Sequence, residues 1–201
     1  MRHGVLVVAL VASMMLGPLS VASPNGVGAQ GDDGCLCHGG PSLEDAIHLH
    51  GWPEVFDAGA AYPIHINAST SLEANGGFRL VVDGGTLLEN ATSTTQAVDA
   101  GLTHTAPASI VEGWSAVWVA PNATDVAVRA TLHVNVVNGN GASDGDRWAT
   151  LSAVSVGPDH DGVLEVPRSD ALTPVVAGIG VLGLGVVLAL LIIGLREPGE
   201  E

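Results

Sequence analysis

The chain has 201 residues and a formal net charge of −15 at pH 7, from 21 acidic residues against six arginines and no lysine. A surface this acidic repels nucleic acid and anionic lipid headgroups, so we exclude nucleic acid as a partner. The excess of acids fits a solvated coat suited to salty surroundings better than a dedicated cation site.

Both ends of the chain predict a relation to the membrane. Residues 4–17 are apolar but too short to span a bilayer, and they lie between a short basic start and small residues at 27–29. This pattern predicts a signal peptide over residues 1–29. Residues 175–195 carry no charge and, at about 1.5 Å per residue, are long enough to cross the hydrocarbon core as one helix. We therefore expect a single-pass protein of the cell membrane, with its body outside and residues 196–201 as a cytoplasmic tail.

The exported body between these ends divides into three parts. Residues 30–56 are rich in Gly and Asp, hold both cysteines and predict an irregular segment, with a short helix or loop at 43–52. Residues 57–156 contain short β-prone runs separated by Gly, Asn and Asp, and residues 157–174 predict a polar stalk. We expect an all-β fold, an Ig-like antiparallel β-sandwich of about seven strands, plus one C-terminal transmembrane helix.

The clearest strand covers residues 126–136, where apolar side chains fall on every second position. A period of two predicts one buried face, which carries Leu132, and one face that meets water, which carries Thr131 and His133. The Gly-, Asn- and Asp-rich run at 138–146 offers oxygen ligands but lacks the EF-hand spacing. It therefore predicts a hairpin loop and not a calcium site.

Cys35, Cys37 and His38 are the sharpest chemical signal in the sequence. Cysteines of exported proteins are usually oxidised, although a disulfide between residues two apart closes a tight ring. Covalent c-type haem uses Cys-x-x-Cys-His, with the histidine as axial ligand, and this chain has one residue fewer between its cysteines. Two thiolates and an imidazole also suit copper or zinc, with His48 or His50 completing the shell. A disulfide or free thiols, a haem site and a metal site all stay open.

The remaining histidines differ in what their surroundings predict. His65 and His133 fall on the polar phases of their strands, so we expect both to face outward and to be solvated. His104 lies between two threonines at a strand end. It is the further histidine that we expect at a metal or cofactor site.

Asn67, Asn90 and Asn122 each precede a Ser or Thr by two positions. These sequons predict N-glycosylation in an exported domain.

Motifs of the common enzyme classes are missing from the sequence. The chain has no Gly-x-Ser-x-Gly elbow, no His-Glu-x-x-His and no Walker loop. We therefore expect no catalytic site.

Four landmarks occur in order along the chain. They are the Cys/His cluster at 35–38, Ala-Gly-x-x-Tyr at 58–62, Gly-Gly-Phe at 76–78, and a series between 103 and 146 that reads Thr-His-Thr, Trp-x-x-x-Trp-x-Ala-Pro and Asn-Gly-x-Gly-x-Ser-x-Gly-Asp. In these residues the chain resembles, over about 34–151, the exported membrane-anchored proteins with a choice-of-anchor V domain, which are related to Reeler-type β-sandwiches. The resemblance implies a Reeler-like fold. The family's usual Cys-x-x-Cys-His-Gly further implies c-type haem, whereas this chain has Cys-x-Cys-His-Gly.

Two functions follow as expectations. The first is a membrane-anchored extracytoplasmic binding module without catalysis, held in the membrane by residues 175–195, whose extracellular ligand the sequence does not name. The second is an electron-transfer or metal-binding protein with c-type haem, copper or zinc at Cys35, Cys37 and His38, joined by His104.

Overall fold

The computed structural model describes residues 23–38, 40–42, 46–69, 75–90 and 92–162. Eleven strands follow one another in these residues: β1 (Gly40–Pro41), β2 (Ala46–His50), β3 (Ala61–Ser69), β4 (Asn75–Val82), β5 (Thr86–Glu89), β6 (Thr95–Val98), β7 (Gly101–His104), β8 (Ala108–Ser109), β9 (Trp114–Val119), β10 (Ala127–Val137) and β11 (Arg147–Val156). A single 3₁₀ turn, Ala29–Gly31, precedes them. The predicted all-β class is therefore confirmed for the described part of the chain.

The strands form two sheets that share one core. The first sheet has the order β1-β11-β10-β4-β7-β6, with β8 also paired to β4, and the second has the order β2-β3-β9-β5. Neighbouring strands run antiparallel, except that the two-residue β1 lies parallel to β11. The strand count exceeds the predicted seven because several strands have only two to five residues, too few to show a period in the sequence.

The membrane-related predictions fall largely on other residues, and residues 1–22 of the predicted signal peptide lie outside the described part of the chain. Within the described ranges, no helix is long and apolar enough to cross a bilayer. The predicted transmembrane helix at 175–195, the tail at 196–201 and most of the stalk at 157–174 lie outside the described residues.

β10 is the central strand, and its predicted register is confirmed. The alternate residues of β10 from Val128 to Val136 are at most 2% exposed and face the core. Leu132 lies opposite Leu80 of β4 on one side and opposite Leu151 of β11 on the other. The run at 138–146 joins β10 to β11 as the predicted hairpin loop.

The helix or loop predicted at 43–52 is wrong for the described part of that range, since Ala46–His50 forms β2. Ile47 and Leu49 pack against the core, while His48 and His50 occupy the opposite face of the strand. That alternation has a period of two, but it extends over only five residues.

His133 corrects a second prediction. It lies on the polar phase of β10, as expected, yet it is only 4% exposed. The outer face of the first sheet is covered by the N-terminal segment, residues 23–38, which packs on β4, β7, β10 and β11. Alternation along a strand identifies the core-facing side, but it carries no information about a distant segment that covers the other side.

Candidate functional site

The N-terminal segment is held on the sheet by a buried charge. The Arg79 side chain is 0% exposed, and its Nε donates to Asp32 Oδ1 at 2.7 Å. Its two terminal nitrogens donate to the carbonyl oxygens of Val98 and Asp99, at 2.6 and 3.0 Å. A buried guanidinium needs such partners, because leaving its N–H groups unpaired away from water is costly. The predicted irregular segment is thus fixed in one position.

Two further contacts extend this attachment. His133 Nε2 donates to the carbonyl oxygen of Asp32 at 2.9 Å, while its Nδ1 shares a 2.7 Å hydrogen bond with Thr150 Oγ1. Gly34, at φ +121°, lies against the ring of Trp148, where a Cβ would come within 2.5 Å of a ring carbon. Glycine at this position permits both the backbone angle and the close approach.

A cavity of about 260 Å³ lies between the segment and the sheet. The segment contributes Ser23, Pro24, Val27, Gln30, Gly31, Gly34, Cys35, Leu36, Cys37 and His38; the sheet side contributes Gly76, Gly77, Phe78, His104, Pro107, Asn135 and Val137. The volume is slightly below the usual range for small-molecule sites, about 300–1,000 Å³, and the mixture of mostly apolar walls with a few polar groups is typical of them. We call this cavity the Cys/His pocket.

Both cysteines line the Cys/His pocket, and neither forms a disulfide. Cys37 is exposed, whereas Cys35 is partly buried. Burial, and secondly the charge of the neighbouring Cys37, raises the pKa of the Cys35 thiol to about 12. Cys35 is therefore protonated at neutral pH, which makes it a poor nucleophile.

His38 is oriented by a carboxylate that is 108 residues away in the sequence. Its Nδ1 lies 2.8 Å from Asp146 Oδ2, and the two side chains are 16% and 4% exposed. A carboxylate accepts, so Nδ1 carries a proton, and in the neutral ring the lone pair is on Nε2. Histidines that ligate metals usually donate their other ring N–H to an oxygen in this way.

His104 has the opposite arrangement. Its ring lies over Gly77, where a Cβ would collide with it, and it is 7% exposed. The backbone N–H of Phe78 donates to Nδ1 at 3.1 Å, so the proton of the neutral ring is on Nε2. In this tautomer Nε2 has no lone pair for a metal ion.

The pKa of His104 is lowered from 6.5, chiefly because burial penalises the charged ring. The backbone carbonyl oxygen of Phe78, 3.4 Å from Nδ1, and the backbone of Ser23 oppose this shift, and a positive charge on His38 adds to it. His104 is accordingly a neutral imidazole at pH 7.

The structure separates the predicted metal ligands into two groups. Cys35, Cys37, His38 and His104 line one pocket, while His48 and His50 lie on β2 of the other sheet and do not contact it. Among the described residues, no three His, Cys, Asp or Glu side chains are placed to hold a metal ion together.

The predicted glycosylation sites occupy different surroundings. Asn67 lies within β3, half-buried, with Oδ1 accepting from His50 Nε2 at 3.2 Å. Asn90 follows β5, and its Oδ1 accepts from the backbone N–H of Thr92. Asn122 is exposed in the loop after β9. Use of these sequons stays a prediction.

The sequence reasoning missed Asp146, Arg79 and Gly77 as parts of this site. Asp146 was noted only as a loop residue, and no spacing links it to His38 across the chain. A lone arginine within an apolar strand, in a chain with six arginines, was the one available signal for Arg79. Gly77 stands out in the sequence only as part of Gly-Gly-Phe at 76–78.

No protein-family model matches the sequence, and no curated protein matches it either. Among solved structures, the chain is similar to the reeler domain of human F-spondin, at 17% identity and a TM-score of 0.43, over 61% of this chain and 95% of that one. It is similar to the Reelin-N domain of F-spondin at 18% identity and a TM-score of 0.46, over 64% and 95%. A conjugative transposon lipoprotein from Bacteroides eggerthii gives 14% identity and a TM-score of 0.34, over 57% and 98%.

Proposed function

We propose that the chain is a membrane-anchored extracytoplasmic binding module, and that the Cys/His pocket is its ligand site. The observation that carries this proposal is the fixed N-terminal segment, which closes a mostly apolar cavity instead of extending into solvent. Membrane attachment through residues 175–195, and membership of the choice-of-anchor V proteins with their Reeler-like sandwich, belong to the same proposal.

A role without catalysis is supported by the chemistry of the pocket. A catalytic cysteine needs a lowered pKa, and burial moves the pKa of Cys35 in the other direction, to about 12. His104 is held neutral by its surroundings, and the Nδ1 that would accept a proton already receives the N–H of Phe78. These groups suit recognition of a ligand by an apolar surface and hydrogen bonds.

Native mass spectrometry of the full-length protein, released gently from membranes, tests this proposal. We expect a retained small molecule in the wild type that is lost in Val137→Trp, because Val137 lines the cavity and the larger ring fills it. Val111→Trp is the matched control, since Val111 is 55% exposed and does not line the cavity. A retained mass that survives Val137→Trp, or bare protein in every preparation, would contradict the proposal.

A second candidate is an electron-transfer protein with c-type haem, and the contact between His38 and Asp146 favours it. The residues present fit such a group in part: Cys35 and Cys37 would supply the sulfur atoms, and His38 Nε2 the axial nitrogen. Haem would supply one-electron transfer at this position. A closed copper or zinc site in the pocket ranks behind haem, because such a site needs three or four protein ligands around one point, and no three ligating side chains of the described residues are arranged in that way.

Absorbance in the Soret region, with metal analysis of the same sample, separates the two candidates. On the haem hypothesis the wild type is coloured, and both Cys37→Ser and His38→Ala lose the colour. Asp146→Asn should weaken the axial bond and shift the spectrum without removing the covalent attachment. A colourless, metal-free protein would exclude the electron-transfer candidate, and the binding module would be the remaining proposal.

A further inference from the structure

Three histidines form a row on the second sheet, away from the Cys/His pocket. His48 and His50 project from the same face of β2, and His65 of β3 is the cross-strand partner of His50. The rings of His48 and His50 are stacked with centroids 5.5 Å apart, and those of His50 and His65 with centroids 6.3 Å apart. His50 is therefore the central member, with one neighbour on each side.

Each of the three rings has one nitrogen bonded to a side-chain oxygen of the same sheet. His50 Nε2 donates to Asn67 Oδ1 at 3.2 Å, which leaves the Nδ1 lone pair of the neutral ring without a partner among the described residues. His48 Nε2 shares a 3.1 Å hydrogen bond with Ser69 Oγ, and His65 Nδ1 shares one of 3.0 Å with Ser115 Oγ. The second nitrogen of these rings is likewise unpaired in the described part of the chain. His50 thus has an oxygen on one ring nitrogen and a free lone pair on the other, which is the usual arrangement of a histidine that ligates a metal. His48 and His65 have the same arrangement when the serine hydroxyl accepts.

We propose that His50, together with either His48 or His65, binds one divalent transition-metal ion, of the copper or zinc class, on the outer face of the second sheet. Imidazole nitrogen is a preferred ligand for these metals. Metal–nitrogen bonds of about 2.0–2.1 Å place two ligating rings several ångströms apart, which is the range of the ring separations seen here. The net charge of −15 raises the local concentration of cations at the surface.

The ion is held by two rings at a time. The three rings lie in a row and do not converge, in agreement with the finding that no three ligating side chains of the described residues surround one point. The ion takes His50 with one of its neighbours, and water completes the shell. This arrangement predicts that replacing His50 weakens metal binding most, because it removes both adjacent pairs. Replacing His48 or His65 leaves one pair and should weaken binding less.

Titration of the full-length protein with Cu²⁺ or Zn²⁺ alone tests this proposal, after both thiols have been alkylated so that the Cys/His pocket cannot compete. We expect one ion per chain by calorimetry and, for Cu²⁺, nitrogen hyperfine structure in the electron paramagnetic resonance spectrum. His50→Gln should weaken binding by at least about tenfold, and His48→Gln and His65→Gln by a smaller factor each. His160→Gln is the control, because His160 lies in the loop after β11 and bonds to Asp125.

The relative loss of metal affinity in these variants decides whether the proposal stands. Equal effects of His50→Gln and His160→Gln, or a Cu²⁺ spectrum without nitrogen coupling, would overturn the proposal. Circular dichroism of each variant establishes that the sheet is intact. The proposed binding function of the pocket does not depend on this result, because the pocket shares none of these side chains.

Discussion

Lowering the pH from 7.5 to 5.5 should destabilise the fold through His104 and His133. Burial lowers the pKa of both rings from 6.5. For His133, a hydrogen bond to the backbone of Asp32 opposes the shift, as do the negative charges of Asp32 and Asp33, and the charge of Arg79 adds to it. In the unfolded chain each histidine takes up a proton near pH 6.5, whereas in the folded chain it stays neutral to a lower pH.

The sign and size of the effect follow from linkage. Because the unfolded state binds more protons below pH 6.5, the contribution of these residues is complete above that pH and is lost as the pH falls toward the folded pKa values. Each histidine contributes at most about 1.4 kcal/mol per pH unit, so the pair gives a limiting slope of about 2.7 kcal/mol per pH unit. Above pH 7 these two groups should leave stability unchanged.

Urea unfolding between pH 5.5 and 7.5, followed by tryptophan fluorescence, measures this slope. Trp148 contacts both Gly34 and His133, so its signal also reports release of the N-terminal segment. His133→Gln keeps a donor for the carbonyl oxygen of Asp32 but removes one titrating group, and should halve the slope. His50→Gln, at an exposed position, should leave it unchanged. Constant stability over this range, or the full slope in His133→Gln, would refute the reasoning.

Three further predictions concern packing and topology. Leu132→Ala should lower the free energy of unfolding, measured in urea, by about 2–5 kcal/mol because Leu132 is fully buried. Thr131→Ala should lower it by less than about 1 kcal/mol because Thr131 is half-buried on the other face. Equal losses would contradict the register of β10. Gly77→Ala should lower the free energy of unfolding by about 1–3 kcal/mol, because the new methyl group collides with the ring of His104. Unchanged stability would mean that the ring can move aside. External protease on intact cells should digest the body and spare residues 196–201, and a protected body would reverse the predicted orientation.

The core could be predicted from the sequence because apolar and polar residues alternate clearly along β10. Eleven residues with a strict period of two determine which side chains face inward, and Leu132 and its alternate neighbours lie where that period places them. β2 was missed because Ile47 and Leu49 offer only two apolar positions in a strand of five residues. A short strand at a sheet edge obtains its structure from pairing with β3, which local sequence does not encode.

The candidate site could be predicted only in part. Cys35, Cys37 and His38 stand out because the two cysteines of the chain and a histidine lie within four residues. Their surroundings depend on contacts over long sequence distances, such as His38 with Asp146 and Arg79 with Asp32. A single sequence contains no signal for such pairs, so the pocket and the burial of His133 emerged only from the fold.

The first residues of the N-terminal segment connect the pocket to protein processing. Ser23, Pro24 and Val27 form part of the cavity wall, Val27 N–H donates to Thr103 Oγ1, and Ala29 N–H donates to Asp99 Oδ2. A signal peptidase cut after Ala29, as the sequence predicts, would remove this wall and leave a new amino terminus beside the opening. Maturation would then determine the width of the cavity and add a positive charge at its rim. The precursor and the exported protein would therefore differ in which ligands they admit, and N-terminal sequencing of the exported protein would establish which form the cell presents.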